Sequence, residues 1–321
     1  MIMVYLLSKQ SRAEHREYKA DIAPLLLAFK KVLRKCPSAV LVIAGSTIHQ
    51  GQNRYERGCI DEYDLGEHVN LHTNTSPMIK KCLFAAADVF VAPSDNIVES
   101  FGLSILEAMG AKLPVVASDW SGYRELVRDG ESGFLIETTV AVDGWRNASV
   151  LAECATTPHP EYYLAQRTIV NVGQLADRLC LLGEDRELRQ KLGRKGYATV
   201  RESYVWSVAI RRFAEVWLQS LATRRSSGTP TMSASAPDLR RVFNSFASGE
   251  WTWDGERRVV TSHLCDDICL SHVVMDETTR SILVSCRDQP RTISEVAAGG
   301  DYSRRRVLWL MKRGLLEVEQ D

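Results

Sequence analysis

From residue 1 to about residue 136, short apolar or β-branched runs alternate with longer amphipathic ones. "IMVYLL" is followed by a helical spacing from Ile22 to Leu33, then by "AVLVIAG", "VNLHT", a helical run from Pro77 to Ala87, "DVFVAPS", another from Leu103 to Met109, "PVVASD", a short one from Tyr123 to Arg128, and "GFLI". Strands of such unbroken apolar character are buried on both faces, and strand, helix, strand succession joins parallel neighbours through crossovers. Consecutive crossovers of this kind predict an α/β fold, an open, doubly wound, Rossmann-like parallel sheet. Such sheets bind ligands outside the carboxyl ends of their strands, so the loops that follow the strands are where chemistry is to be sought.

The rest of the chain is organised differently. Residues 137–170 contain Pro158, Pro160 and few periodic positions, which predicts an irregular insertion. From Val172 to Leu221 the spacing of Leu175, Leu179, Leu182, Leu188, Leu192, Val200, Ile210, Phe213 and Trp217 predicts two or three helices with breaks near Gly183 and Tyr204. A stretch rich in Ser, Thr, Pro and Gly, without large apolar residues from Arg224 to Pro237, then reads as a linker. The division expected is therefore a first domain over 1–222, a linker over 223–239 and a small second domain over 240–321. In that second unit "TRSILVSC", "TISEVAA" and "YSRRRVLWLMKRGLLEVEQ" predict three helices, the last ended by Gly314 and followed by a short strand, the outline of a small, mostly α, winged-helix-like module. "WTWDGERRVV" predicts a hairpin turning at Asp254-Gly255.

Charge narrows the function. In 321 residues, 40 basic side chains offset 40 acidic ones, so no bulk attraction draws the chain to nucleic acid or to an anionic membrane, and any anion must be held locally. Arg304, Arg305 and Arg306 could sit on nucleic-acid phosphates, but Val307, Leu308, Leu310 and Met311 crowd one face as in a core helix, which favours a packing or protein-interaction module. No apolar run approaches the roughly 20 residues of a membrane span, and the start "MIMVYLLSKQSR" reads as a strand rather than a signal peptide. The eight cysteines are scattered, and the closest pair, Cys265 and Cys269, lacks the partners of a zinc site. Reduced thiols in a cytoplasmic protein without a metal are the expectation.

The informative loop is the one after "DVFVAPS". In "SDNIVESFGLSILEAMGAKLPVVASDWSG" two glutamates, Glu99 and Glu107, flank a helix start at Phe101-Gly102. The first turn of a helix has unpaired backbone N–H groups and the positive end of the dipole, and Gly102 has no side chain to hold a phosphate off. Glu107 lies five residues past Gly102, about 7.5 Å along a helix axis at 1.5 Å per residue, a span that suits a ribose hydroxyl pair when the helix end holds phosphates. Glu99, on the loop, faces whatever is attached beyond the second phosphate.

This segment resembles the Glu-x7-Glu signature of retaining glycosyltransferases of the GT-B fold, the group 1 glycosyl transferases. Its flanks, "ADVFVAPSDNIVESFGLSILEAMGAKLPVVASDWSGYRELVRDGESGFL", are similar to the donor-binding carboxyl-terminal half of that family. The resemblance extends over about residues 1–222. It implies that Glu99 contacts the donor sugar, Glu107 the ribose, and Phe101, Gly102 and Leu103 the diphosphate, the last two through their backbone. It further implies an arginine and a lysine after the first strand that neutralise the departing diphosphate. Within "SKQSRAEHREYKADIAPLLLAF", Lys19 and Arg12 match best, with Arg16 as the alternative arginine. Cations there would stabilise charge that develops in the transition state. The implied substrate is a UDP- or GDP-sugar, with no cofactor and no metal. Asp119, Gly122 and Glu125 read as residues shaping the next loop and capping its helix, and His72 as either an edge residue or a neighbour of the ligand.

The family's acceptor-binding half is not found in this sequence. It is supplied by a separate polypeptide, or the gene is truncated or mis-started, or the chain is a non-catalytic nucleotide-sugar-binding or scaffolding protein with a winged-helix partner module.

Overall fold

The computed structural model describes residues 1–7, 22–45, 50–96, 99, 101–141, 165, 167–224, 248–251, 257–261, 276–287 and 289–319. Its centre is a six-stranded sheet, formed by β1 (Ile2–Leu7), β2 (Val40–Gly45), β3 (Val69–Thr73), β4 (Val89–Ala92), β5 (Val115–Ser118) and β6 (Gly133–Ile136) in the order β3-β2-β1-β4-β5-β6. Every neighbouring pair runs parallel, with registers such as Tyr5 opposite Ile43 on one side and Val91 on the other. The Rossmann-like α/β architecture read from the alternation is thus the one observed.

Alternate residues of each strand serve two separate cores, as the two-residue period of a strand requires. Met3, Tyr5, Leu41, Ile43, Val89, Val91 and Val116 face helices α1 (Ala23–Lys35) and Val172–Glu184. Val4, Val42, Ala44, Phe90, Ala92, Val115 and Ala117 face the opposite layer, which contributes Phe84, Ile105, Met109, Tyr123 and Leu126. Both layers are built from elements that the apolar spacing marked.

One helix escaped that spacing. α2 (Gln50–Glu62) connects β2 to β3, yet its sequence "QGQNRYERGCIDE" carries two glycines and few apolar residues. Among its described side chains Glu56, Cys59 and Ile60 are buried. A helix sequence with so few apolar residues produces almost no periodic signal, and glycine weakens it further.

The stretch read as an irregular insertion begins and ends in strands: Thr138–Ala141 and Thr168–Val170 pair antiparallel, and Gly249–Trp251 adds to the first of them in parallel. Its central residues, Pro158 and Pro160 among them, lie outside the described residues. Two strand fragments of four and three residues are too short to show a two-residue alternation, hence the reading. Helices Val172–Glu184, Arg186–Ser203 and Trp206–Arg224 follow with their breaks at Asp185 and at Tyr204-Val205, where the spacing put them.

The hairpin expected in "WTWDGERRVV" is a correction. Gly249–Trp251 joins the Thr138–Ala141 strand, whereas Arg258–Thr261 pairs with Arg291–Thr292 and Leu316–Val318 in a different sheet. Each flank has a longer-range partner that satisfies its backbone groups, so the local pairing signalled by Asp254-Gly255 loses; those two residues lie outside the described residues. The carboxyl-terminal helices are Glu277–Arg287, Ile293–Val296 and Asp301–Lys312, the last ended by Gly314 with a positive φ of 66°. Their apolar residues, including Ile282, Leu283, Val307, Leu308, Leu310 and Met311, merge into the same core as α1 and Val172–Glu184. No helix among the described residues is long and apolar enough to cross a membrane.

Candidate functional site

The strand order changes direction between β1 and β4: connections run outward through β2 and β3 on one side and through β5 and β6 on the other. In open parallel sheets ligands bind outside the carboxyl ends of the strands where the order reverses, here the ends of β1 and β4. The two-glutamate loop leaves β4 at that position.

Its residues are held from several directions. Ser94, Asp95 and Asn96 are buried, and Glu99 is only 6% exposed. The backbone N–H of Glu99 donates to the carbonyl of Asn96 at 3.1 Å, and the indole of Trp120, itself fully buried, donates to the same carbonyl at 2.9 Å. Trp120 and Tyr123 come from the loop after β5, so the next crossover supports the loop from beneath. Lys312, from the end of the Asp301–Lys312 helix, donates its ammonium to the Asp95 carboxylate and to the Ala165 carbonyl.

Gly102 then starts α4 (Leu103–Gly110) in the left-handed region, at φ 93° and ψ 51°. No side chain caps this helix end. A Cβ on Gly102 would lie 2.6 Å from Tyr123 Cε1, so the residue is required both by its φ and by the ring beneath it. Leu103 is 69% exposed while Ile105 of the same turn is buried, and a helix start of this kind carries the positive end of the dipole. Phe101 is half-exposed and meets Tyr204 edge-on at 6.3 Å between ring centroids.

Glu107 sits one turn further on, half-exposed, and forms an ion pair with Lys80 of α3 (Pro77–Ala86). That lysine was not foreseen, because nothing in its local sequence separates it from a solvated surface charge. Asp119 pairs with Arg124, and Arg124 also donates to the Asp119 carbonyl at 3.1 Å, which ties the loop after β5 to the short helix α5 (Tyr123–Leu126). Gly122 is the N-cap of that helix without a side-chain bond, and His72 is exposed on the edge strand β3.

The structure thus brings Glu99, Phe101, Gly102, Leu103 and Glu107 onto one loop and helix start at the switch point of the sheet. Arg12, Lys19 and the alternative Arg16 lie outside the described residues. Three contributors carried no local signal: Trp120, Tyr123 and Lys312 reach the loop only through tertiary packing. Burial pushes the Tyr123 hydroxyl well above its ordinary range, and the nearby Glu99 carboxylate and Tyr5 push it further. It stays protonated and acts as a hydrogen-bond donor. No cluster of three or more His, Cys, Asp or Glu with metal-binding geometry occurs among the described residues.

The Rossmann-like sheet thus carries a glycine-opened helix end between two carboxylates at its switch point. Residues 13–149 match the family described as glycosyl transferases group 1. Among curated relatives, the chain is 31% identical over 201 residues to the phosphatidyl-myo-inositol mannosyltransferase of Mycobacterium tuberculosis, a match that covers 63% of this chain and 44% of that protein. It is 56% identical over 54 residues to the D-inositol 3-phosphate glycosyltransferase of Geodermatophilus obscurus, covering 17% of this chain and 12% of that one. Among solved structures, the carboxyl-terminal domain of a group 1 family glycosyl transferase from Francisella tularensis aligns with a TM-score of 0.46 and 20% identity, over 64% of this chain and 86% of that chain. The chain spans less than half the length of the curated relatives named here.

Proposed function

We propose that this chain is a retaining glycosyltransferase of the GT-B type, or its donor-binding subunit, moving a hexose from a UDP- or GDP-sugar to an acceptor. The observation that carries the reading is the left-handed Gly102, which opens α4 at the switch point with Glu99 buried on one side and Glu107 half-exposed on the other. The matched family, and the mannosyl and glycosyl transfer named in the curated relatives, support it.

In this reading the backbone N–H groups of Gly102 and Leu103 bind the diphosphate, where the helix end supplies positive potential without a metal ion. Phe101 lines the entrance. Glu107 accepts from the ribose hydroxyls, exchanging part of its bond with Lys80 for them, and Lys80 keeps the carboxylate aimed. Glu99, fixed by the bond from its own N–H to Asn96, accepts from hydroxyls of the donor sugar and orients the anomeric carbon. Arg12 and Lys19 offset the charge that develops on the departing diphosphate, a contribution made in the transition state. The acceptor is bound by a second GT-B half, and residues 240–321 serve as a small winged-helix-like interaction module of a cytoplasmic protein.

A second reading is a non-catalytic nucleotide-sugar-binding or scaffolding protein. It keeps the donor site and differs only in the absence of turnover.

Calorimetric titration of the chain with UDP, GDP and their glucose and mannose conjugates tests the donor site. Binding of one nucleotide series that is weakened at least tenfold by Glu107→Ala is expected. Absence of binding to every nucleotide, with the chain folded, overturns the reading.

A further inference from the structure

Tyr123 is a large polar side chain that the proposed chemistry does not use, yet it is 3% exposed and lies under the donor loop. It comes from α5, in the crossover that follows β5, and its backbone N–H is anchored on the Trp120 carbonyl at 3.0 Å. Its ring fills the space where Gly102 lacks a Cβ: Cε1 and Cδ1 lie 2.6 and 2.8 Å from the position such an atom would take. Its hydroxyl accepts from the Ser94 hydroxyl and donates to the Glu99 carboxylate. One side chain therefore touches the start of the loop, the sugar-facing carboxylate and the phosphate-facing helix start.

These three parts are separate along the chain: Ser94 and Glu99 are five residues apart, and Gly102 is three further on. A loop of that length has no internal reason to hold a carboxylate at a set distance from a helix end. A rigid aromatic ring with one polar tip does, since it has few rotatable bonds and both its ends are engaged here.

We propose that Tyr123 is a positioning residue: it sets the Glu99 carboxylate relative to the Gly102 helix end, so that diphosphate and sugar are gripped in register. This rests on the donor-site reading of Glu99 and Gly102. Tyr123 touches no substrate itself. Its ring supports the phosphate end of the site and its hydroxyl the sugar end, which makes the two separable by substitution.

Tyr123→Phe keeps the ring and removes the hydroxyl. In calorimetric titrations of the full chain, it is expected to leave the affinity for the plain nucleoside diphosphate within about twofold of wild type and to weaken the sugar conjugate about tenfold, the loss of a hydrogen bond to a charged group. Ser94→Ala, which removes the donor behind the hydroxyl and leaves Tyr123 in place, should act in the same direction by about threefold. Glu99→Gln is the control for the underlying reading. If it leaves conjugate affinity unchanged while the diphosphate still binds, the sugar-facing role of Glu99 is wrong, and the role of Tyr123 falls with it. If Glu99→Gln weakens the conjugate but Tyr123→Phe and Ser94→Ala do not, the donor site stands and the positioning role is overturned. An equal loss for diphosphate and conjugate in Tyr123→Phe also overturns it, because that is the signature of a merely structural residue. A folded wild-type chain that binds neither ligand refutes both readings.

Discussion

Lys312→Met is the most demanding perturbation the structure suggests. The Lys312 and Asp95 side chains are 9% and 4% exposed, and they join residues 217 positions apart, one at the end of the last long helix and one in the loop after β4, the proposed donor loop. Methionine keeps the length and apolar stem of lysine, so packing changes little, but the Asp95 carboxylate stays in the interior without the ammonium. Breaking a buried pair from one side costs about 3–5 kcal/mol, chiefly the penalty of the charge left behind. The lost bond to the Ala165 carbonyl adds to this by about 1 kcal/mol. A cycle of Lys312→Met, Asp95→Asn and the double variant, followed by urea unfolding, isolates the pair: the double variant should be destabilised by clearly less than the sum of the single ones, with a coupling of about 1.5–3 kcal/mol. Because Asp95 lies four residues before Glu99, hydrogen exchange of peptides covering 93–102 should quicken in Lys312→Met. A single variant within about 1 kcal/mol of wild type, or additive single effects, would refute the argument that a buried ion pair ties the last helix to the donor loop.

Other expectations follow from single features. Gly102→Ala forces a Cβ into a left-handed residue, at about 1–2 kcal/mol, and against the Tyr123 ring, at about 1–3 kcal/mol; urea unfolding should show a loss of about 2–5 kcal/mol, and an unchanged midpoint would count against the local geometry. Burial, only partly offset by Arg313, pushes Tyr63 up to about 12, and Tyr123 is raised as well, so the folded state keeps both protons while the unfolded chain releases them near 10. Their contribution is therefore complete below pH about 10 and is lost as pH rises from there toward 12, which ultraviolet titration of tyrosinate against circular dichroism would follow. At the other extreme, desolvation acts to raise Asp276, but bonds from Thr279 and Tyr302 and the nearby Arg306 outweigh it and hold the carboxyl below its usual range. That contribution is present above pH about 4 and is lost as pH falls through the lowered value, so the Glu277–Arg287 helix, whose Thr279 N–H is accepted by Asp276 at 2.8 Å, should loosen first in acid, as hydrogen exchange would report. Burial also raises the Cys180 and Cys286 thiols, whereas Cys82 is exposed, so among these three a thiol reagent should modify Cys82 first in the native chain.

How far the amino-acid order could be read varies along the chain. Strands β1 to β6 were legible because a buried parallel sheet demands continuous apolar runs, and "VFVA" or "VVAS" has no other soluble use. The helices that cover the sheet with a broad apolar stripe, such as Ala23–Lys35, were legible for the same reason, while Gln50–Glu62, which has few apolar residues, was not. The Glu99 to Glu107 segment stood out because its chemistry is local: a glycine, a helix start and two carboxylates at fixed spacing are set by the chain itself. Short strands paired across long separations escaped, as Gly249–Trp251 beside Thr138–Ala141 illustrates; three or four residues do not carry their partner's address.

By itself the amino-acid order determined the layers of the fold and the composition of the Glu99 to Glu107 segment, since burial periodicity and backbone freedom act within a few residues. Only the tertiary structure decided that this segment lies at the turning point of strand order, that Lys80 holds Glu107, that Trp120 and Tyr123 brace the loop from the next crossover, and that Lys312 reaches Asp95 from the far end of the chain. These contacts depend on which buried polar groups meet when separate elements condense on one edge of the sheet. Such pairings are fixed by the requirement that every buried donor, acceptor and charge find a partner, and that requirement is met in space, not along the sequence.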